Sequence, residues 1–362
     1  MKKIIFKRRI WKRVGISILG LMVLLGLAIF AFWFRFMYFP TPTEVVHFES
    51  QGVTLEGTLH YPSDQNGPFD VVIVLPGSGR ATRSAGPLTV QSKEFVRRGF
   101  AVLTYDKRGI GKSGGTFRNE NFDKLIADIY SAIDYLKSNN KIKPQSIGLA
   151  TNSESVLFGP QIASERNDIS FVHATVGSTV SFKKLAMYQM GHLMRKWHSD
   201  PKDVEKIMSI YHDVLTFYSK SDGNPDYFNK AKDDLNQRMS AAWNEYGGST
   251  LPFLVGVGNY NEAYVHRRGH SSAYDPQKYF EQPFETPFFY AFAELDINIP
   301  TAECVAAIEK IMQNKKHTIE YKVWEGADHS LGKILWAPYG IYPPGYLLEM
   351  GDWARKVVDE AN

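Results

Sequence analysis

The stretch that says most about the fold runs Ser146-Ile147-Gly148-Leu149-Ala150-Thr151-Asn152-Ser153-Glu154-Ser155-Val156. A short apolar run ends in small polar residues, and apolar residues that suit a helix follow at Leu157, Phe158 and Ile162. This order predicts a strand, a tight turn and a helix, with Ser153 at the turn. Such a turn lifts the serine clear of the sheet edge and points the next helix, with its unpaired N–H groups, at whatever the serine contacts.

The spacing of this turn is that of the Gly-x-Ser-x-Gly nucleophile elbow. Thr151 and Ser155 stand where the pattern has glycine, and each adds a Cβ where the backbone is expected to be crowded. The alternative interpretation is an ordinary connection in which Ser153 caps a helix. The rest of the chain has to decide between them.

The distribution of charge argues against nucleic-acid binding by the residues that follow position 35. The chain has 362 residues and a formal net charge of +4, but eight basic residues and no acidic residue lie within residues 1–35. The remainder has 34 basic and 38 acidic residues, so no phosphate-neutralising surface is predicted. The single cysteine, Cys304, excludes a disulfide within the chain.

Residues 14–34 form an apolar run of 21 residues without a charge. As a helix this run would be about 31 Å long, enough to cross a bilayer. The basic residues before it predict an amino terminus in the cytoplasm and a body outside it. A cleaved signal peptide is the alternative, but its apolar region would be shorter. We therefore expect an uncleaved, single-pass anchor in the cell membrane, with residues 1–38 forming a basic stub and a transmembrane helix.

Beyond the anchor, apolar runs alternate with helical patterns. Two half-buried strands are predicted at residues 44–50 and 53–61, and a helical period covers residues 122–136. Further strands are predicted at residues 71–75, 101–105, 171–176, 288–293 and 318–324. This order predicts an α/β fold with a mostly parallel sheet and helices on both faces.

Residues 180–284 interrupt this alternation with long amphipathic segments that are rich in aromatic residues. We expect them to form a helical cap, inserted between two parts of the core at residues 44–179 and 285–362. The aromatic residues of the segment suggest an apolar acyl or aryl pocket, although aromatics at helical spacing also occur as plain core. They are Tyr188, Trp197, Tyr211, Phe217, Trp243 and Tyr246.

Three candidate catalytic residues follow predicted strand ends. Ser153, Asp296 and His329 occur in the chain order serine, acid, histidine. Ligands of an open parallel sheet gather beyond the carboxyl ends of its strands. A serine needs a base to become a nucleophile, and the base needs an acceptor that holds its tautomer. Asp328 is next to His329, where side-chain bonding is awkward, so Asp296 is the predicted acceptor.

Two loops and the elbow have sequences that resemble those of a known family. Tyr105-Asp106-Lys107-Arg108-Gly109-Ile110-Gly111-Lys112-Ser113 closely resembles the loop after the fourth strand in α/β-hydrolases of the capped esterase and serine-aminopeptidase-like type. Leu75-Pro76-Gly77-Ser78-Gly79 resembles the oxyanion loop of that group. The elbow of the group commonly reads Gly-His-Ser-Glu-Gly-Gly and ends at a proline seven residues after the serine, as at Pro160. The resemblance covers about residues 44–180 and 285–335.

The resemblance implies an α/β-hydrolase fold and a serine hydrolase that cleaves carboxylic esters or amides through an acyl-enzyme. By the same resemblance, the backbone N–H groups of Ser78 and Glu154 would hold the oxyanion. The expected partner is a small-molecule ester or amide, with no nucleic acid. A transacylase or peptidase with the same triad stays open, as does a non-catalytic binding protein, and the oligomeric state is undetermined.

No cofactor and no metal site are predicted. His266 and His270 are four residues apart, but Gly269 weakens a helix between them and no acidic partner is suitably spaced. Asp106 and Arg108 are expected to be a structural pair near the sheet edge rather than catalytic residues.

Overall fold

The chain forms two compact units, Met1–Thr41 and Pro42–Asn362. The computed structural model describes residues 14, 16–31, 41–62, 67–117, 121–197, 200–221, 224–246, 271–332 and 342–361. In the first unit, residues 16–31 are helical. Within the described ranges, no helix has both the length and the hydropathy that crossing a membrane requires. Residues 15 and 32–34 of the predicted anchor lie outside those ranges, and the anchor stays a prediction.

The second unit is built on an eight-stranded sheet of order β1-β2-β4-β3-β5-β6-β7-β8. The two leading strands pair antiparallel with each other, β2 pairs antiparallel with β4, and all other pairs are parallel. The strands are β1 (Thr43–Ser50), β2 (Val53–His60), β3 (Asp70–Val74), β4 (Ala101–Tyr105), β5 (Ser146–Asn152), β6 (Phe171–Thr175), β7 (Phe288–Ala293) and β8 (Ile319–Trp324). The predicted α/β fold with a mostly parallel sheet is therefore confirmed.

Helices cover this sheet, and β3, β4, β6 and β7 are buried along their whole length. Such strands have apolar side chains on both faces, which is why they appear in the sequence as continuous apolar runs. The helices are α1 (Gly86–Arg97), α2 (Phe122–Ser138), α3 (Gly159–Glu165), α4 (Phe182–Trp197), α5 (Pro201–Ser221), α6 (Pro225–Tyr246), α7 (Thr301–Gln313) and α8 (Tyr346–Ala361). Two 3₁₀ helices, Ser153–Phe158 and Pro276–Glu281, join them.

Helices α4, α5 and α6 share an apolar cluster of their own, which we call the helical cluster. It consists of Met194, Val204, Ile207, Val214, Phe217, Tyr218, Leu235, Met239 and Ala242. The core cluster around the sheet contains other residues, among them Phe158, Phe288 and Tyr290. Residues 247–270 of the predicted cap lie outside the described ranges, and a lid function of residues 180–284 stays a prediction.

Candidate active site

The elbow begins where β5 ends at Asn152 and the 3₁₀ helix begins at Ser153. Ser153 has a φ of +52°, in the left-handed region that costs energy for a residue other than glycine. Such strain is typical of residues whose side chains must be presented at a site. The turn therefore has the backbone of a strained strand-to-helix elbow rather than of a relaxed connection.

Thr151 and Ser155 fit the elbow through their hydroxyl groups. Thr151 is fully buried, pairs with Ala174 on β6 and donates to the carbonyl oxygen of His173 at 3.3 Å. Ser155 accepts from the N–H of Asn152 at 2.8 Å and donates to the carbonyl oxygen of Asn152 at 3.0 Å. Ser155 thus satisfies backbone groups of the turn, and Thr151 ties the end of β5 to β6.

The closest approach of the backbone to the elbow is at Gly177, and not at position 151 or 155. A Cβ added to Gly177 would lie 2.1 Å from Cβ of Val156, on the 3₁₀ helix. Real Cβ atoms do not approach so closely, so glycine is required at this position. The expected crowding at positions 151 and 155 is therefore found after β6, at a residue that the pattern of the elbow does not include.

The three predicted catalytic side chains meet at the carboxyl edge of the sheet. Oγ of Ser153 lies 3.1 Å from Nε2 of His329. Nδ1 of His329 lies 2.9 Å from Oδ2 and 3.1 Å from Oδ1 of Asp296. The tautomer that fits these contacts donates from Nδ1 to the carboxylate and accepts the serine proton at Nε2.

Asp296 is buried, with 3% of its surface exposed, and its carboxylate is held in place by the chain. Oδ1 accepts the N–H groups of Asn298 at 2.8 Å and Ile299 at 2.9 Å, in the loop after β7. Two backbone donors and one imidazole therefore fix the orientation of the carboxylate, which in turn fixes the plane of the histidine ring.

Asp328 serves the turn around His329. Its carboxylate accepts the N–H groups of Ser330 at 2.9 Å and Gly332 at 3.3 Å, together with the Ser330 hydroxyl. Burial acts to raise the pKa of Asp328, but the hydrogen bonds from Ser330 and Gly332 outweigh it and hold the pKa below its usual range. The structure thus brings Asp296, and not Asp328, onto the ring of His329.

The loop after β3 lies against Ser153. A Cβ added to Gly77 would lie 3.0 Å from Cβ and 3.6 Å from Oγ of Ser153. The next residue, Ser78, is exposed, and Glu154 follows Ser153 directly. The N–H groups of Ser78 and Glu154 stay the predicted oxyanion donors, and both belong to backbone next to the nucleophile.

The polar side chains that flank the elbow were not predicted from the sequence. Nδ2 of Asn152 donates to the carbonyl oxygen of Leu75 at 3.0 Å, and Asn152 and Gln91 exchange two amide hydrogen bonds of 2.9 Å. On the other side, Nζ of Lys107 lies 2.9 Å from the carboxylate of Glu154. The available signal was opposite charge after β4 and β5, but it is informative only once β3 is known to lie between them.

Asp106 and Arg108 have different partners, which corrects their expected pairing. Asp106 accepts the N–H groups of Arg83 at 2.7 Å and Lys112 at 3.0 Å, and also binds the guanidinium of Arg83. Arg108 forms a buried ion pair with Asp128 on α2. Both residues lie in the loop that follows β4, and their side chains bind different elements, so the two residues brace separate parts of the structure.

A cavity of about 180 Å³ lies beside Ser153. Its described lining is mostly apolar, with Pro76, Leu88 and Val176, and its polar members include Gln91 and Thr175. The lining includes none of the described aromatic side chains named above from residues 180–284, those of Tyr188, Tyr211, Phe217 and Tyr246. Phe217 packs instead in the helical cluster, while the Tyr188 hydroxyl donates to the carbonyl oxygen of Asp296 at 3.0 Å. The side chains of Trp197 and Trp243 lie outside the described part.

In the part of the chain that the structure describes, no three His, Cys, Asp or Glu side chains are grouped as metal ligands. The pair His266 and His270 lies outside that part.

A family model supports the same fold. Residues 67–279, more than half of the chain, match the model of the family described as serine aminopeptidase, S33. The esterase Pf2001 of Pyrococcus furiosus has a similar structure, with a TM-score of 0.55 and 17% identity over 88% of this chain and 91% of the esterase. At that identity the likeness shows the fold alone.

Two curated fungal proteins match shorter segments. The thiohydrolase aneE of Aspergillus aculeatus is 31% identical over 110 residues, which are 30% of this chain and 33% of that protein. The polyketide transferase grgF of a Penicillium species is 33% identical over 99 residues, which are 27% and 32% of the two chains. The chain thus aligns with about a third of the length of these relatives.

Proposed function

The chain belongs to the serine aminopeptidase S33 family of α/β hydrolases, and we propose that it is a serine hydrolase that cleaves carboxylic esters through an acyl-enzyme. The observation that carries the proposal is the continuous hydrogen-bonded chain from Ser153 through His329 to Asp296, at the carboxyl edge of the parallel sheet. Such a chain supplies what a serine nucleophile needs, a base in reach and an acceptor that orients the base.

In the proposed reaction, Oγ of Ser153 attacks the ester carbonyl carbon while Nε2 of His329 takes the hydroxyl proton. The negative charge on the tetrahedral oxygen is stabilised by the N–H groups of Ser78 and Glu154. His329 then gives its proton to the leaving alcohol, and the acyl group stays on Ser153. Water, activated by His329 in the same way, releases the acid and restores the serine. Asp296 stabilises the imidazolium in both halves without taking its proton.

The cavity beside Ser153 suits a short acyl group. At about 30 Å³ for a water-sized group, about 180 Å³ holds roughly six such groups. We therefore expect the best acyl chains to have about six heavy atoms or fewer. Aryl esters of graded acyl length test this expectation, because kcat/KM should fall beyond that length. Leu88→Ala, which removes part of the apolar lining, should move the optimum to longer chains.

A fluorophosphonate probe tests the nucleophile. The probe reacts with a serine whose proton is being taken and forms a tetrahedral adduct, so wild-type protein should become labelled at Ser153. Ser153→Ala and His329→Ala should each abolish labelling, and the double variant should lose no more than either alone, since the residues act as a unit. Thermal unfolding checks that the variants remain folded. A folded wild-type protein that neither labels nor cleaves an activated ester would overturn the proposal.

Acyl transfer is a second candidate, favoured by the relatives that are named thiohydrolase and polyketide transferase. The same acyl-enzyme would then pass its acyl group to an alcohol, thiol or amine instead of water. Product ratios measured with and without such an acceptor separate the two activities. A peptidase would in addition cleave aminoacyl amides, which an enzyme restricted to esters would leave intact.

We also propose that residues 14–34 anchor the protein and leave residues 44–362 outside the cytoplasm. The large apolar side chains of residues 16–31 are exposed, as in a helix whose surroundings are lipid, and basic residues precede them. Protease added to spheroplasts should digest residues 44–362. Protection of the whole chain would contradict this placement, and a mature amino terminus after residue 34 would show cleavage instead.

A further inference from the structure

We propose that Lys107 is a positioning residue of the oxyanion hole, an inference that rests on the proposed hydrolase function. Lys107 is buried, with 4% of its surface exposed. Its Nζ lies 2.9 Å from Oε2 of Glu154 and 3.3 Å from the carbonyl oxygen of Gly77. One ammonium group therefore binds both segments that carry the predicted oxyanion donors.

The contact with Gly77 fixes the direction of the neighbouring donor. The carbonyl group of Gly77 and the N–H group of Ser78 belong to the same peptide unit, which is planar and trans. The C=O and N–H bonds point in opposite directions, so a carbonyl held towards Lys107 turns the N–H of Ser78 away from Lys107. The same unit lies against Ser153, because a Cβ on Gly77 would lie 3.6 Å from its Oγ.

The contact with Glu154 fixes the other donor. Glu154 follows the nucleophile as the second residue of the 3₁₀ helix, so its side chain and its N–H group leave the same short segment of backbone. A carboxylate held by an ammonium gives a charge-assisted hydrogen bond, which is about twice as strong as a neutral one. The pair restrains the peptide that carries the second donor relative to the first.

The sheet order explains how one side chain reaches both segments. Strand β3 lies between β4 and β5, and all three run parallel. Lys107 follows the carboxyl end of β4, and Glu154 follows that of β5. The lysine side chain thus crosses the loop after β3 and binds its carbonyl group on the way. Asn152 ties the opposite flank of the elbow to the same loop through Leu75.

This arrangement would act by keeping the donors in place before the reaction. Loss of one oxyanion donor typically lowers kcat by about 10²–10³. Loss of Lys107 leaves both donors present but less well placed, so we expect a fall of about ten- to a hundredfold in kcat. Substrate binding should change little, because the donors act mainly on the charge that develops in the transition state.

The test compares Lys107→Met with Lys112→Met, a matched control at an exposed lysine five residues away. Both variants and wild type are assayed for kcat, KM and the inhibition constant of a trifluoromethyl ketone. This ketone accepts Oγ of Ser153 at its carbonyl carbon, His329 takes the proton, and the resulting alkoxide occupies the oxyanion hole. In Lys107→Met, kcat should fall about ten- to a hundredfold with KM nearly unchanged, and the inhibition constant should rise by a similar factor. Lys112→Met should have the kcat, KM and inhibition constant of wild type.

A merely structural lysine would lower the thermal midpoint without this shared change in kcat and inhibitor binding. If Lys107→Met does not fold, Glu154→Ala at its partly exposed position replaces it, with an expected fall of about tenfold in kcat and an equal weakening of the ketone. Active wild-type protein with unchanged kcat and inhibitor binding in the folded variant would overturn the role of Lys107 alone. Wild-type protein that reacts with neither ester nor ketone would overturn the proposed function as well.

Discussion

The carboxyl edge of the sheet and the helices α4 to α6 are held by different kinds of contact. At the edge, buried polar groups meet a strained serine, as in the pairs of Lys107 with Glu154 and Asn152 with Gln91. In the helices, an apolar cluster lies inside and ion pairs such as Lys206 with Glu245 lie on the exposed surface. Exposed ion pairs contribute little to stability, so the helices depend on packing. Changes at the edge should therefore alter the reaction, and changes in the helical cluster should alter stability.

The largest effect is expected at the acid. Asp296→Asn keeps the size of the side chain, but its amide can favour the wrong tautomer of His329, so kcat should fall on the order of 10⁴-fold. Steady-state assay with an activated ester measures this. Asp328→Asn is the matched control, because Asp328 binds Ser330 and Gly332 instead of the ring. Equal losses of kcat in Asp296→Asn and Asp328→Asn would contradict the assignment of Asp296 as the acceptor for His329.

A large loss of stability is expected in the helical cluster. Phe217 is 2% exposed, and Phe217→Ala should lower the free energy of unfolding of these helices by about 3–5 kcal/mol. Denaturant titration followed by helical circular dichroism measures the loss. Phe217→Leu, which keeps most of the volume, should cost much less. At temperatures where the variant is folded, kcat for a small ester should stay near wild type, and a parallel collapse of kcat would break the contrast between the two regions.

A smaller effect, on stability at low pH, is expected from His173. His173 is fully buried on β6, its Nδ1 lies 3.3 Å from the Thr175 hydroxyl, and burial lowers its pKa to about 3. In the unfolded chain its pKa is about 6.5. Below pH 6.5 the unfolded chain therefore binds a proton that the folded one does not. The contribution of this group is fully present above pH 6.5 and falls by about 1.4 kcal/mol per pH unit down to about pH 3.

Burial also lowers the pKa of His60, to about 4, so wild type loses stability from both groups in acid. The informative measurement is the difference in unfolding free energy between wild type and His173→Phe from pH 7 to 4.5. Phenylalanine keeps the stacking on Phe289 and removes the titrating ring. The slope of the unfolding free energy against pH should therefore decrease by the amount that corresponds to about one bound proton. Parallel curves for wild type and His173→Phe would contradict the assignment.

The sequence predicted the parts of the site that depend on the order of the strands. Ser153, Asp296 and His329 each follow the end of a strand, and parallel strands bring such ends to one edge. It did not predict Lys107 on Glu154 or Arg108 on Asp128, because those contacts depend on which strands are neighbours and where long side chains point. The aromatic residues of the helices were equally ambiguous, since an apolar face has the same pattern whether it covers a ligand or another helix.

The separation of the site residues along the chain has a consequence for biosynthesis. Ser153 and His329 are 176 residues apart. At about 5–20 residues per second, the ribosome adds the histidine roughly 9 to 35 seconds after the serine. For most of that interval β7 and the acceptor Asp296 have not been added, and throughout it the base is absent. By the proposed mechanism, a nascent chain therefore carries a serine that cannot yet attack esters, and the proposed reactivity would arise only when the last parallel strands join the sheet.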